Sequence, residues 1–228
     1  MLKTVFPPAP LTLLPIIGSD QHFPIRRVYC VGRNYAAHAI EMGHDDREPP
    51  FFFQKNPNNI LQSGVDFPYP DKSKDVHFEV ELVVALKQGG KDLSLERADA
   101  SIFGYAVGLD MTRRDLQSEM KKAGRPWEIG KAFEKSAPCS HLIEKQAAGD
   151  ISQSEIWLDV NGKRQQTGNI NQQIWNIPET ISYLSQLFEL AAGDIIFTGT
   201  PSGVGPVKKG DRLHAHVDGI PELSCSVI

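Results

Sequence analysis

Polar and apolar positions alternate most clearly in VHFEVELVVAL (76–86), where His77, Glu79 and Glu81 fall on one side and Phe78, Val80 and Leu82 on the other. A period of two is that of a β-strand. RRVYCVG (26–32) has the β-branched and aromatic character of a short buried strand. EPPFFFQKNPNNI (48–60) reads as a strand of three phenylalanines between prolines, and 66–75 as a loop. A further strand, GYAVGLD, runs into Asp110, and residues 156–160 form a strand that meets the Asn161-Gly162 hairpin signal. From 194 onward, DIIFTGTPSGVGPVKKGDRLHAHVDG reads as strand, glycine-rich loop, tight turn, strand and a second turn at Asp218-Gly219.

Helical signals are fewer. Asn34 suits the N-cap of a two-turn helix over 35–42 that Gly43 ends, and Ser94 precedes a short helix over 95–101. Thr112 with Asp115 resembles a capping box, opening an amphipathic helix that Gly124 closes before Pro126. Pro178 starts a helix with Ile181, Leu184, Leu187 and Phe188 on one face, ending at Gly193. Strands outnumber helices without a regular βα alternation, so the fold class is β-rich α+β. An irregular Pro-rich arm, 1–25, precedes one domain, 26–228.

Composition narrows the partners. The 228 residues are 40% hydrophobic and 23% charged, which is ordinary for a globular protein. With 24 Lys and Arg against 28 Asp and Glu, the net charge of -4 argues against nucleic acid. No run of apolar residues is long enough for a membrane span. Pro7, Pro8, Pro10 and Pro15 interrupt the apolar start, which therefore reads as mature sequence. Cys30, Cys139 and Cys225 lie too far apart for a disulfide framework or thiolate metal site, which fits reduced thiols in the cytoplasm.

Taken alone, Glu79 and Glu81 read as a solvated strand face. Asp110 changes that, because it closes a strand apolar enough to be buried, where a carboxylate needs a cation or a set of donors. Three carboxylates without thiolates form an all-oxygen set that suits Mg²⁺, Mn²⁺ or Ca²⁺ better than structural zinc. His38 and Glu41, three apart on the first helix, share a face; the pair reads either as surface residues or as a general base with its orienting carboxylate. TGTPSGVG (198–205) is a tight turn rather than a nucleotide loop. Its glycines let backbone N–H groups approach an anion, and Thr200 adds a hydroxyl. Lys131 is a cation for the same anion or, read alone, a solvated lysine.

Six motifs in order, CVGRNYAAHAIEMG, PFFFQK, HFEVELVV, GYAVGLDMTRRDLQ, PWEIGKAF and FTGTPSGVGPVKKGD, resemble the fumarylacetoacetate hydrolase family from Arg26 onward. Within it the sequence is most similar to the short acylpyruvate hydrolases, including fumarylpyruvate hydrolases. The resemblance implies a mixed β-sandwich or roll with few short helices, a homodimer, and Mg²⁺ or Mn²⁺ on Glu79, Glu81 and Asp110. It also implies that His38 and Glu41 activate water, that Lys131 and Thr200 contact the substrate, and that Arg33, Arg114 and Gln117 help hold it. Arg113 competes with Arg114 for the inward place. The expected substrate is a small 2-oxo acid, an acylpyruvate cleaved to pyruvate and a carboxylic acid. The His-x-x-Glu pair favours hydrolysis, while oxaloacetate decarboxylation, keto-enol tautomerisation, or oxo-acid binding without catalysis stay open.

Overall fold

The computed structural model describes residues 3–35 and 48–228. Its centre is an eight-stranded mixed sheet. Seven strands run in the order Phe51–Lys55, Arg27–Gly32, Asp194–Phe197, Val80–Leu86, Ile102–Leu109, Ala137–Cys139 and Ile60–Gln62, and Ile143–Glu144 pairs with Ile102–Leu109 off that path. Two pairings are parallel, Asp194–Phe197 with Arg27–Gly32 and Ala137–Cys139 with Ile60–Gln62. The structure is thus the β-rich, mixed-sheet fold with short helices that the sequence implies.

Both faces of this sheet are covered, which is why its strands read as nearly continuous apolar runs. Leu82, Val84 and Leu86 look toward the antiparallel four-stranded sheet that supplies Ile156, Leu158, Leu213 and Ala215. Val83 and Ala85 look the other way, into a second cluster with Val28, Cys30 and Phe197. The amino-terminal segment closes that cluster. Leu13–Pro15 and His22–Pro24 form a hairpin that buries Leu14, Ile16, Phe23 and Ile25, so this part of the arm is regular structure.

Several local expectations give way to tertiary contacts. The 76–86 strand is two strands: Val76–Phe78 pairs with Thr112–Arg113 and Gly205–Pro206, while Val80–Leu86 belongs to the central sheet, and Glu79 sits at the break. The Thr112/Asp115 capping box does not form. Thr112 is paired with His77 in the small sheet, and Asp115 accepts from Ser73 Oγ (2.7 Å) and Lys74 N–H (2.9 Å) instead. The Ile177–Leu187 helix is capped by Asn176 with Glu179 and ends before Phe188, earlier than Gly193. Ile181 and Leu184 are core, but Leu187 is 57% exposed. Ser94 caps Leu95–Ala100 as expected. The first helix, 35–42, falls on residues outside those described from 36 onward. Among the described residues, no helix is long and apolar enough to cross a membrane. The three cysteines are free and buried.

Candidate metal centre

Strand pairing brings the three carboxylates together. Val80 lies opposite Leu109 and Glu81 opposite Gly108, and the ladder continues as Asp110 N–H donates to Glu79 O at 2.9 Å. Glu79 and Glu81 therefore stand side by side with Asp110 across from them. One oxygen from each lies within 4.8 Å of the others, and the residues are only 6%, 2% and 1% exposed. The alternation that looks like a wet strand face is buried on both sides.

Buried carboxylates demand positive partners. Lys131 Nζ bridges Glu79 Oε2 (2.7 Å) and Asp110 Oδ2 (2.6 Å), and Arg114 forms an ion pair with Glu79 Oε1. Gly130 lets the Glu128–Lys131 helix approach closely: a Cβ there would stand 2.9 Å from Gln117 Cβ. Lys55, at the end of the three-phenylalanine strand, lies 2.9 Å from Asp110 Oδ1 and donates to Ser136 Oγ (3.0 Å) and to the carbonyls of Met111 and Lys131. Nothing in the sequence pattern marks this lysine as buried.

Burial alone would raise the Glu79 carboxyl, but the charges of Lys131 and Arg114 and their hydrogen bonds outweigh it and hold Glu79 far below the usual carboxylate range. Burial likewise opposes charge on Lys131, yet Asp110 and Glu79 keep it firmly protonated. Glu81 goes the opposite way. Burial and then the neighbouring charges of Asp110 and Glu79 push it well above the ordinary range, and the Gly199 N–H at 2.8 Å offsets only part of this. A divalent cation among the three carboxylates would relieve that penalty on Glu81. Their hard oxygen donors fit Mg²⁺ or Mn²⁺.

These groups open into a cleft of about 140 Å³ that Arg33, Glu81, Arg114, Gln117, Lys131 and Thr200 line. Arg114, Gln117, Ser118 and Lys121 all face it because spacings of three and four share one side of the Arg114–Lys122 helix. Arg114 donates to Gln117 Oε1 at 2.7 Å, leaving the Gln117 NH₂ for the cleft. Arg113 points elsewhere, its guanidinium 4.4 Å from the Phe133 ring, which settles which arginine turns inward. Arg33 adopts a left-handed backbone, φ 58°, and lies over Phe51. Phe51, Phe53 and Trp127 supply the apolar wall. A larger hollow, about 760 Å³, lies by Asn161, His214 and Ser226 but gathers none of these groups.

Glu79, Glu81, Asp110, Lys131, Arg114, Gln117, Thr200 and Arg33 thus meet in one place. His38 and Glu41 lie outside the described residues. Sequence reasoning misses Lys55, and Trp127 in the wall; it reads the backbone N–H groups of 198–205 as anion donors, and the Gly199 N–H donates to Glu81.

Residues 27–228 match the family described as fumarylacetoacetate (FAA) hydrolase C-terminal. The chain is 43% identical to a fumarylpyruvate hydrolase of Ralstonia sp, over 79% of this chain and 93% of that one. It is 41% identical to the mitochondrial oxaloacetate decarboxylase of Dictyostelium discoideum, over 86% of this chain and 90% of that one. A crystal structure of fumarylpyruvate hydrolase from Pseudomonas aeruginosa, in complex with Mn²⁺ and pyruvate, superposes with a TM-score of 0.96 at 51% identity and covers 99% of both chains.

Proposed function

The chain belongs to the fumarylacetoacetate hydrolase family, and from that premise we propose that it is a divalent-metal-dependent hydrolase cleaving an acylpyruvate, a fumarylpyruvate-like 2,4-dioxo acid, to pyruvate and a carboxylic acid. The observation that carries this reading is the buried Glu79, Glu81 and Asp110 group opening into the cleft of Lys131, Arg114, Gln117 and Thr200. The Mn²⁺ and pyruvate of the Pseudomonas aeruginosa structure support it.

In this reading Glu79, Glu81 and Asp110 hold Mg²⁺ or Mn²⁺. When bound, the cation supplies Lewis acidity and neutralises charge at the 2-oxo acid end of the substrate. Arg114, Gln117 and Arg33 orient the substrate, and Thr200 donates its hydroxyl to the substrate carboxylate. Phe51, Phe53 and Trp127 keep water from the acyl arm. His38, oriented by Glu41, takes a proton from water, whose oxygen bonds to the acyl carbonyl carbon. The C–C bond then breaks and its electron pair stays on the pyruvate side as an enolate, which takes up a proton to become pyruvate. The fixed ammonium of Lys131 stabilises the charge that develops there. The roles of His38 and Glu41 rest on their spacing and on the family resemblance. We further assign the protein to the cytoplasm, as a homodimer, which light scattering in solution tests.

The direct test follows pyruvate release from an acylpyruvate with Mn²⁺, with EDTA as one control and Glu41→Gln as the other. We expect EDTA to abolish turnover and Glu41→Gln to lower it about 10²- to 10⁴-fold. Unchanged rates in both controls overturn the mechanism. A second reading, decarboxylation or tautomerisation of oxaloacetate, takes support from the Dictyostelium discoideum relative. It requires oxaloacetate turnover that needs metal and survives Glu41→Gln.

A further inference from the structure

Gln166 lies on Lys163–Asn169, a strand of the four-stranded sheet, and is fully buried, yet it carries none of the chemistry assigned above. All of its amide atoms are engaged. Oε1 accepts the Val80 N–H at 2.9 Å, and Nε2 donates to both Thr200 Oγ1 and the Pro201 carbonyl, each at 2.8 Å. Val80 is the residue between the two glutamates of the carboxylate group. One side chain from a different sheet therefore ties that strand to the loop bearing Thr200.

The orientation of this amide is forced by groups that cannot change role. A backbone N–H only donates and a carbonyl only accepts. Turning the amide over would set its NH₂ against the Val80 N–H and its oxygen against the Pro201 carbonyl. In the orientation that remains, Thr200 Oγ1 must accept from Gln166. Its own proton is then not spent on Gln166 and is left for the cleft, which Thr200 lines. Close packing fixes the arrangement further: a Cβ on Gly168 would lie 2.7 Å from Pro201 Cβ, and one on Gly203 would lie 2.3 Å from the Gln165 carbonyl oxygen.

We infer that Gln166 is a positioning residue that sets the polarity of Thr200, making it an obligatory hydrogen-bond donor to an anionic oxygen of the ligand. This rests on the acylpyruvate reading, in which that oxygen belongs to the 2-oxo acid end. Gln166 touches no ligand itself and acts through Thr200.

The test is a double-mutant cycle on pyruvate affinity of the Mn²⁺-loaded protein, measured by calorimetry, with thermal melting as the folding control. Gln166→Met keeps the length of the side chain but removes the donor. It is expected to weaken pyruvate binding about tenfold. In a Thr200→Val background the same substitution should change affinity less than about twofold, while in a Thr200→Ser background, which keeps the hydroxyl, the full loss should return. Equal losses in all three backgrounds, or none in the wild-type background, overturn the inference and leave the acylpyruvate reading standing. A wild-type protein that neither binds pyruvate nor cleaves acylpyruvates overturns both. Should Gln166→Met fail to fold, Gln166→Leu supplies the cycle. It too removes the donor to Thr200, and its loss of affinity must likewise vanish in Thr200→Val.

Discussion

Gly199 donates its backbone N–H to Glu81 Oε2 at 2.8 Å. The contact depends on glycine: φ is +100° and a Cβ would lie 2.8 Å from Asn34 Cβ. Asn34 in turn donates through Nδ2 to the carbonyls of Thr198 (2.8 Å) and Trp175 (2.9 Å). Three separate stretches of chain are thereby locked around one carboxylate, and the residue after Gly199 is Thr200. The carboxylate group and the loop bearing Thr200 are tied together.

Metal binding should therefore register as stability. Adding Mn²⁺ at about a hundred times its Kd is expected to raise the melting temperature by about 5 to 10 °C, through a linkage worth ~2.7 kcal/mol. Glu81→Gln and Asp110→Asn should remove this shift along with Mn²⁺ binding. Scanning calorimetry with and without EDTA decides it; an undiminished shift in both variants rules out the carboxylate group as the site.

Lys55 is expected to be structural as well as electrostatic. Its side chain is 0% exposed and its only carboxylate contact is Asp110, among the described residues. Lys131 still pairs with Asp110, but Lys55→Met strips Asp110 Oδ1 of its cation and withdraws the ammonium donor from the Met111 and Lys131 carbonyls and Ser136 Oγ, so it should cost about 3 to 5 kcal/mol in denaturant unfolding. Mn²⁺ should recover part of that loss by supplying the missing charge. A cost below about 1 kcal/mol, the range of a surface pair, would contradict the burial described for Lys55.

Asp115 gives the fold an acid-sensitive joint. Partial burial would raise its carboxyl, but hydrogen bonds from Lys74 N–H, Ser73 Oγ and Leu116 N–H outweigh this and depress it. For a carboxyl lowered by folding, the stabilisation is present above the ordinary value near ~3.9 and disappears as pH falls through the folded value. Asp115→Ala should thus destabilise the protein at pH 7, with the difference from wild type shrinking below about pH 4. Unfolding curves collected across that range check the sign, since a gap that widens in acid contradicts it.

How far the sequence reveals the site depends on which contacts each residue needs. Glu79, Glu81 and Asp110 become legible because a strand period and an apolar neighbourhood are local properties. Even there, alternation alone suggests a wet face, and only the covering of both sides of the central sheet reverses it. Lys55 stays hidden because its burial depends on Ser136, a partner 81 residues away. The Thr112/Asp115 pattern misleads for the converse reason: a valid local signal loses to His77 and Ser73, which claim the same two side chains from elsewhere. Leu187 continues a helical stripe on paper but lies at the last turn, past the point where the core receives it.

The parallel pairing of Asp194–Phe197 with Arg27–Gly32 also has a bearing on biosynthesis. All three carboxylates have been synthesised by residue 110, but Gly199 follows Glu81 by 118 positions. Until that late strand arrives, Val80–Leu86 presents an open edge on its Asp194–Phe197 side, a template for adventitious pairing. Contacts of such separation also fold slowly. A nascent chain on the ribosome thus carries all three carboxylates, on strands that pair with each other, well before the Gly199 donor to Glu81 is made.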